Sequence, residues 1–396
     1  MNPTNAFLTR RRFIKTSTAA ALGGALASRG RANESANAME ALYGSLSAAQ
    51  KKAVCFDWDH RVDIQYGRKP LHFPDPKGVL LRTHVSNAWK ITEPLLGDDF
   101  YTDAQRALVL EVMKTVLAPG WTEKLQQQGE DDYGQPWGGD QALAFFGTPG
   151  SARFQCVITG FHLTLRAGSD ANPSTAFGGA ISHGHQPTGF FEETGHPRNI
   201  WWYQSTLANQ VYARLDDKQR QRALHATGLP FGTLDAAMTK RIDRILRRPA
   251  GTDFAALKAD LTKVLDRSTT RPGLPRNDRR ESEIRFRGGK GAFPGLPVAA
   301  MARDQREGVE KILAALLEPY RQEVRDQVLR CLQKQGGLEK CSLAFYQQFD
   351  MGGDGEWDNW RLEGPSFVWY FRGAPHVHIW IHVADDPSSP VSSYLG

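Results

Sequence analysis

From residue 38 onward, apolar positions recur at helical spacing in several separate stretches. Leu42, Leu46, Ala49 and Ala53 predict a helix over 38–53, and Thr102-Asp103 caps a stretch whose Leu108, Met113, Val116 and Leu117 form one apolar face. Tyr203, Leu207 and Val211 predict a third helix over 200–215, and similar patterns cover 233–246 and 253–265. A longer pattern over 303–332 is interrupted at Pro319, whose ring breaks or kinks a helix. The starts at Ser47, Thr102 and Arg303 share a capping pattern with a glutamine. A shared cap does not establish a repeat, and none is expected.

Strand signals fall in two places. Residues 141–146 and 154–165 flank the turn Gly147-Thr148-Pro149-Gly150, and 367–372 and 376–383 flank Gly373-Ala374-Pro375. Each set is rich in aromatic and β-branched residues and predicts a hairpin. The stretch 168–197 between them is rich in Gly, Pro and His, has little periodicity and reads as a long functional loop. The expectation is an α+β fold over 38–396, a single domain in which a largely antiparallel sheet of hairpins packs against several amphipathic helices.

The first residues follow another logic. Arg10-Arg11-Arg12-Phe13-Ile14-Lys15 precedes a short Ala/Gly-rich run, which reads as a twin-arginine signal peptide over about 1–32. Small-x-small sites at Ala25-Leu26-Ala27 and Ala36-Asn37-Ala38 leave cleavage open between 27 and 38. The implied partner is the twin-arginine translocation machinery, and the implied location is periplasmic or secreted. No segment offers the roughly 20 apolar residues of a membrane span, so no stable insertion is expected after cleavage. The net charge of +6 does not change this picture: much of the excess lies in 271–290, with no zinc-finger spacing or RNA-binding aromatic signature, and no nucleic-acid partner is expected. Cys331 and Cys341 flank a turn and are the expected disulfide, with Cys55 and Cys156 either paired or buried and free.

The candidate chemistry is carried by histidine. His376, His378 and His382 fall at offsets that put all three, with Trp380, on one face of a strand. His162, on the other hairpin, completes a three-imidazole set if the two hairpins are neighbours, and such a set suits copper, iron or zinc. The long loop adds His183, His185 and His196, with Glu192 and Glu193 as a carboxylate ligand or proton carrier. A nucleophile elbow, a phosphate-binding loop, a dinucleotide fingerprint and a haem c attachment site are all missing from the sequence, so those chemistries have no support. The acidic stretch 350–358 does not match a calcium-loop spacing.

Phe146-Gly147-Thr148-Pro149, Gly160-Phe161-His162-Leu163, Pro173 with Phe177-Gly178, Leu207-Ala208-Asn209 before Lys218-Gln219-Arg220, and Glu363-Gly364-Pro365 with His376-Val377-His378 occur in this order. In these elements the chain resembles the domain of unknown function 3500 family, from about Ser47 to the last hairpin. The resemblance implies an exported bacterial protein and groups His162, His376 and His378 as one site. In that family the position of Phe161 is also histidine, and this chain keeps only His162. The reading that follows is a periplasmic metal-binding protein, a copper- or iron-dependent oxidoreductase with His162, His376 and His378 as ligands and an unidentified small-molecule substrate. A zinc hydrolase on the same ligands and a non-catalytic ligand-binding protein are the alternatives.

Overall fold

The computed structural model describes residues 37–62, 65–66, 69–70, 78–168, 174–185, 196–225, 284–289, 293–347, 356–373 and 377–393. The leader, the helices expected over 233–246 and 253–265, Glu192, Glu193 and His376 lie outside the described residues.

The first expected helix is two: α1 over 37–45 and α2, Ala48–Val54. They separate because Ser47 is extended and spends its side chain on the Gln50 N–H, while the Gln50 side chain returns to the Ser47 N–H, a full capping box. Thr102 and Gln105 repeat this device at the start of α3, Asp103–Lys114. Next comes α4, Trp121–Tyr133, a helix the apolar pattern does not predict. α5 is Trp202–Ala213 and α6 is Asp217–Ala223, capped by Asp216 and Gln219. The long C-terminal pattern divides around Pro319, as its ring requires, into α7, Arg303–Leu317, and α8, Gln322–Lys334.

The strands of the main sheet are β1 Cys55–Phe56, β2 Ala142–Gly147, β3 Phe154–Gly160, β4 Leu163–Gly168, β5 Ile181–His185, β6 Leu224–His225, β7 Leu296–Pro297, β8 Ser342–Tyr346, β9 Asn359–Gly364, β10 Phe367–Arg372 and β11 Val377–Val383. They form one 11-stranded sheet in the order β1-β2-β3-β4-β5-β11-β10-β9-β8-β6, with β7 also on β8. The fold is α+β, but the sheet is mixed: β1 on β2 and β6 on β8 are parallel. Two expectations about this region change. The strand expected over 154–165 is two strands, broken by a turn at Phe161-His162, and the expected loop contributes β5, which lies between the two hairpins. Glycine and histidine side chains on a fully buried strand give no apolar alternation, so β5 carries little sequence signal.

The order of the strands is a palindrome about the β5–β11 pair, and the registers agree on both sides. Ala142 pairs with Thr159, Thr159 with Thr164 and Thr164 with Ser182; in the same steps Ser342 pairs with Glu363, Glu363 with Val368 and Val368 with His382. Ile181 opposite Ile381 marks the centre. The outermost strands repeat as well, Cys55 beside Phe145 and Leu224 beside Phe345. Capping glutamines then interlock across helices twice, Gln50 with Gln105 and Gln219 with Gln305, each pair exchanging amide hydrogen bonds of 2.8–3.1 Å. The similar starts at Ser47, Thr102 and Arg303 are therefore parts of an internal repeat with pseudo-twofold symmetry, contrary to the sequence expectation.

The helices cover one face of the sheet, where Val112, Leu125, Phe145, Ile181, Trp201, Leu316, Val328, Trp369 and Ile379 belong to the main core. The other face is covered, among the described residues, by chain with no α-helix: Leu81, Trp89 and Ile91 pack on Ala144 and Val157, and Val85 and Ile284 pack near Tyr370 and Trp380. Both sheet faces are thus dry. Among the described residues no helix is long and apolar enough to cross a membrane.

All four cysteines are free thiols in the structure. Cys55 and Cys156 stand on either side of β2, both opposite Phe145, so two strand spacings of about 4.8 Å separate them, beyond disulfide reach. Cys331 on α8 turns toward the Ser174 carbonyl at 3.9 Å, whereas Cys341 packs against Gly364, so the expected bridge is not formed. Burial pushes the Cys331 thiol up to about 11 and the Cys341 thiol up to about 12.

Candidate functional site

The site forms where the end of α4 meets the turn between β3 and β4 and the end of β5. Along α4, Trp121, Leu125 and Gln128 are buried, and one turn further the same stripe reaches Asp132, whose side chain has no exposed surface. Gly134 then ends the helix in a left-handed conformation, φ 73°, with its N–H on the Glu130 carbonyl. A buried carboxylate at that point needs partners. The partners of Asp132 include Nδ1 of His162 at 2.7 Å from Oδ2, Nδ1 of His185 at 2.9 Å from Oδ1, and the Gln128 amide at 2.6 Å from Oδ2.

Burial alone raises the Asp132 carboxyl, but the charge and hydrogen bonds of His162, with those of His185, override it and hold the group well below the usual carboxylate range. The carboxylate is therefore ionised and only accepts, which places a proton on Nδ1 of both rings and leaves Nε2 as the basic nitrogen of each.

His162 is held by backbone as well as by Asp132. It sits in the turn at φ 59°, an uncommon conformation for a residue with a side chain. The Asp140 carboxylate accepts the Phe161 N–H, and the Asn87 carbonyl accepts the His162 N–H. The ring then fills the space over Gly184: a Cβ there would lie 2.7 Å from His162 Cδ2 and 2.4 Å from the Val377 carbonyl oxygen. Glycine is required at that position by close approach.

Gly184 pairs with His378 across β5 and β11, so the His162 ring lies beside the His378 ring, centroids 5.0 Å apart. The two hairpins are not neighbours, yet the expected approach of His162 to His378 occurs, because the strand between them offers no side chain. His378 Nδ1 is 2.7 Å from Arg372 Nη2. Arginine can only donate, so Nδ1 accepts and the proton of neutral His378 is on Nε2. Trp380 meets His378 edge to face at 5.3 Å and stacks on Tyr370 at 5.3 Å.

The other histidines are placed elsewhere. His382 shares the face of His378 but lies near the far end of β11, where it stacks on Phe286 at 3.9 Å and its Nδ1 is 2.9 Å from the Ile284 carbonyl. His183 points to the helical side, stacked on Trp201 at 5.1 Å with Nε2 2.7 Å from the Tyr320 hydroxyl. Burial lowers its imidazolium to about 3 and that of His382 to about 4. His196 takes the Arg198 N–H on its Nδ1, within its own loop. Among the described residues no three His, Cys, Asp or Glu side chains stand as a ready metal-ligand set.

Of the expected residues, the structure thus gathers His162, His185 and His378. Sequence reasoning missed Asp132, Asn87 and Arg372. The stripe from Trp121 to Asp132 is half polar, and only its burial shows that it faces inward.

The chain belongs to the family described as proteins of unknown function, DUF3500, whose profile matches residues 28–384. No curated protein and no solved structure matches it.

Proposed function

We propose that the cluster of Asp132, His162 and His185 is the metal centre of a periplasmic oxidoreductase, with His162 Nε2 and His185 Nε2 as ligands to copper or iron. The observation that carries this reading is the shared carboxylate. Histidines that ligate a metal through one nitrogen almost always donate the other N–H to a carboxylate or carbonyl, which fixes the tautomer and raises ligand basicity. Asp132 does this for two histidines at once, from full burial. When bound, the metal supplies an open coordination position for oxygen, peroxide or substrate. His378 stands beside that position: its ring is 5.0 Å from the His162 ring, and Arg372 holds its Nδ1.

The internal repeat supports a chemical role over a structural one. His162 follows Gly160-Phe161 in its turn, and the equivalent turn, Gly364-Pro365, is followed by Ser366. Four residues past Ile181 is His185; four past Ile381 is Asp385, whose carboxylate meets Lys334 at the end of α8 at 2.6 Å. The second copy thus ties helix end to strand end with an ordinary ion pair. The fold needs a link there; it does not need a buried carboxylate with two imidazoles.

Elemental analysis by plasma mass spectrometry tests the proposal, on protein exported through its own leader and purified without a metal column. Near-stoichiometric copper or iron is expected in the native protein and none in a His162→Ala/His185→Ala variant of unchanged circular dichroism. Asp132→Asn should weaken metal affinity about 10–100-fold, because the ring that faces the new NH2 must move its proton to Nε2. Stoichiometric zinc would replace oxidation by hydrolysis at the same centre, through a bound water of pKa about 7. No metal in the native protein after reconstitution would end the metal reading.

A further inference from the structure

Asn87 is fully buried, and neither its Nδ2 nor its Oδ1 has a hydrogen-bond partner. Buried amides are matched in native proteins, and an unmatched one needs an explanation. Its neighbours show how unusual this is. The Ser86 carbonyl takes the hydroxyls of Thr164 and Ser182, at 2.8 and 2.7 Å, and Ala88 forms a bridge with Phe161. Between them, the Asn87 carbonyl takes the N–H of His162. The segment is therefore fixed over the sheet next to the His162 turn, and the one side chain left unmatched in it belongs to the residue that holds His162.

The second copy again provides the comparison. Gly288 N–H meets the Pro365 carbonyl where Ala88 meets Phe161, so Arg287 occupies the place of Asn87. Arg287 is half-exposed and matched, its Nε 2.9 Å from Glu363 Oε1. The backbone path does not force an unmatched polar group at this position.

We infer that Asn87 contacts the molecule bound at the His162 centre, a small anion or oxygen-terminated ligand that accepts from the Asn87 amide, near the fixed positive charge of Arg372. This assignment of ligand class rests on the proposed centre, although the unmatched amide does not depend on a metal. Replacing such a group by an apolar one of similar shape is neutral or stabilising when the protein itself supplies no partner, so stability and binding should move in opposite directions.

The test uses Asn87→Leu in the full mature chain, with azide as the probe. Thermal unfolding of chelator-treated protein should give a melting temperature unchanged or raised by a few degrees, about the shift produced by relieving one unmatched buried group in a protein of this size. Azide is then titrated calorimetrically into wild type and variant, each with and without copper. Azide should bind the wild type and bind the variant about tenfold more weakly at equal copper content, the loss of one hydrogen bond. A melting temperature lowered by several degrees would show the amide to be a structural group and overturn the inference, as would equal azide affinity in the two proteins or no azide binding by the wild type. Failure to bind copper removes the metal reading only; the titrations without copper then decide the role of Asn87.

Discussion

Acid should unfold this protein in a pH range where its carboxylates are still ionised, because it buries neutral histidine. His183 and His382 titrate at about 3 and about 4 in the folded chain against 6.5 for the free side chain, chiefly through desolvation. His84, enclosed beside Arg166, is also held well below its ordinary value, chiefly by burial. Below pH 6.5 the unfolded chain takes up protons at these sites and the folded chain does not. Stability is therefore complete above 6.5 and falls as pH drops toward the folded values. From pH 7.5 to pH 5 each of His183 and His382 removes about 2 kcal/mol, 1.5 pH units at 1.36 kcal/mol per unit. The pair removes about 4 kcal/mol, a large share of the 5–15 kcal/mol typical of a domain. Urea unfolding at pH 7.5, 6.5, 5.5 and 5.0 measures this, and the slope between 6.5 and 5 should approach 3 kcal/mol per pH unit or exceed it with His84. In His382→Phe the slope should fall by about 1.4 kcal/mol per unit. A flat profile above pH 5, or an unchanged slope in His382→Phe, would refute the assignment of buried neutral histidines.

Gly184→Ala should destabilise the fold by about 1–3 kcal/mol and lower metal content, since the new methyl group meets His162 and the Val377 carbonyl; urea unfolding and elemental analysis check both. Asp140→Ala should cost about 1–3 kcal/mol by leaving the Phe161 N–H without its carboxylate, and should lower metal content with it, measured in the same two assays. The three buried thiols, Cys156, Cys331 and Cys341, should react with a disulfide reagent only after unfolding, with the partly exposed Cys55 reacting first, and reductant should leave the melting temperature unchanged.

Much of the helical layer was legible in the residues. Thr102 and Pro319 act through local backbone chemistry and start or end a helix where the sequence places it, while the capping box at Ser47 divides the helix expected across it. The His162 turn was not legible, since Thr159 to Leu165 continues the strand composition without a Pro or an Asn-Gly signal, and the break is imposed from outside by Asp140 and Asn87. β5 was hidden for a related reason. Its Ile-Ser-His-Gly-His composition becomes a strand only between two neighbours that supply its hydrogen bonds. The centre was half legible: histidine spacing pointed to His162 and His378, while Asp132, Arg372 and Asn87 depend on contacts between residues far apart in the chain.

The palindromic sheet has a consequence for what can vary. Two identical chains related by a twofold axis must carry the same residue at both equivalent positions, so any change to one site is a change to both. Here both positions lie in a single chain, and that constraint is absent. His162 and Ser366, His185 and Asp385, Asn87 and Arg287 can differ, one set forming the proposed centre while the other settles into ordinary ion pairs and hydrogen bonds. One half can then be altered as a scaffold without touching the other as a site.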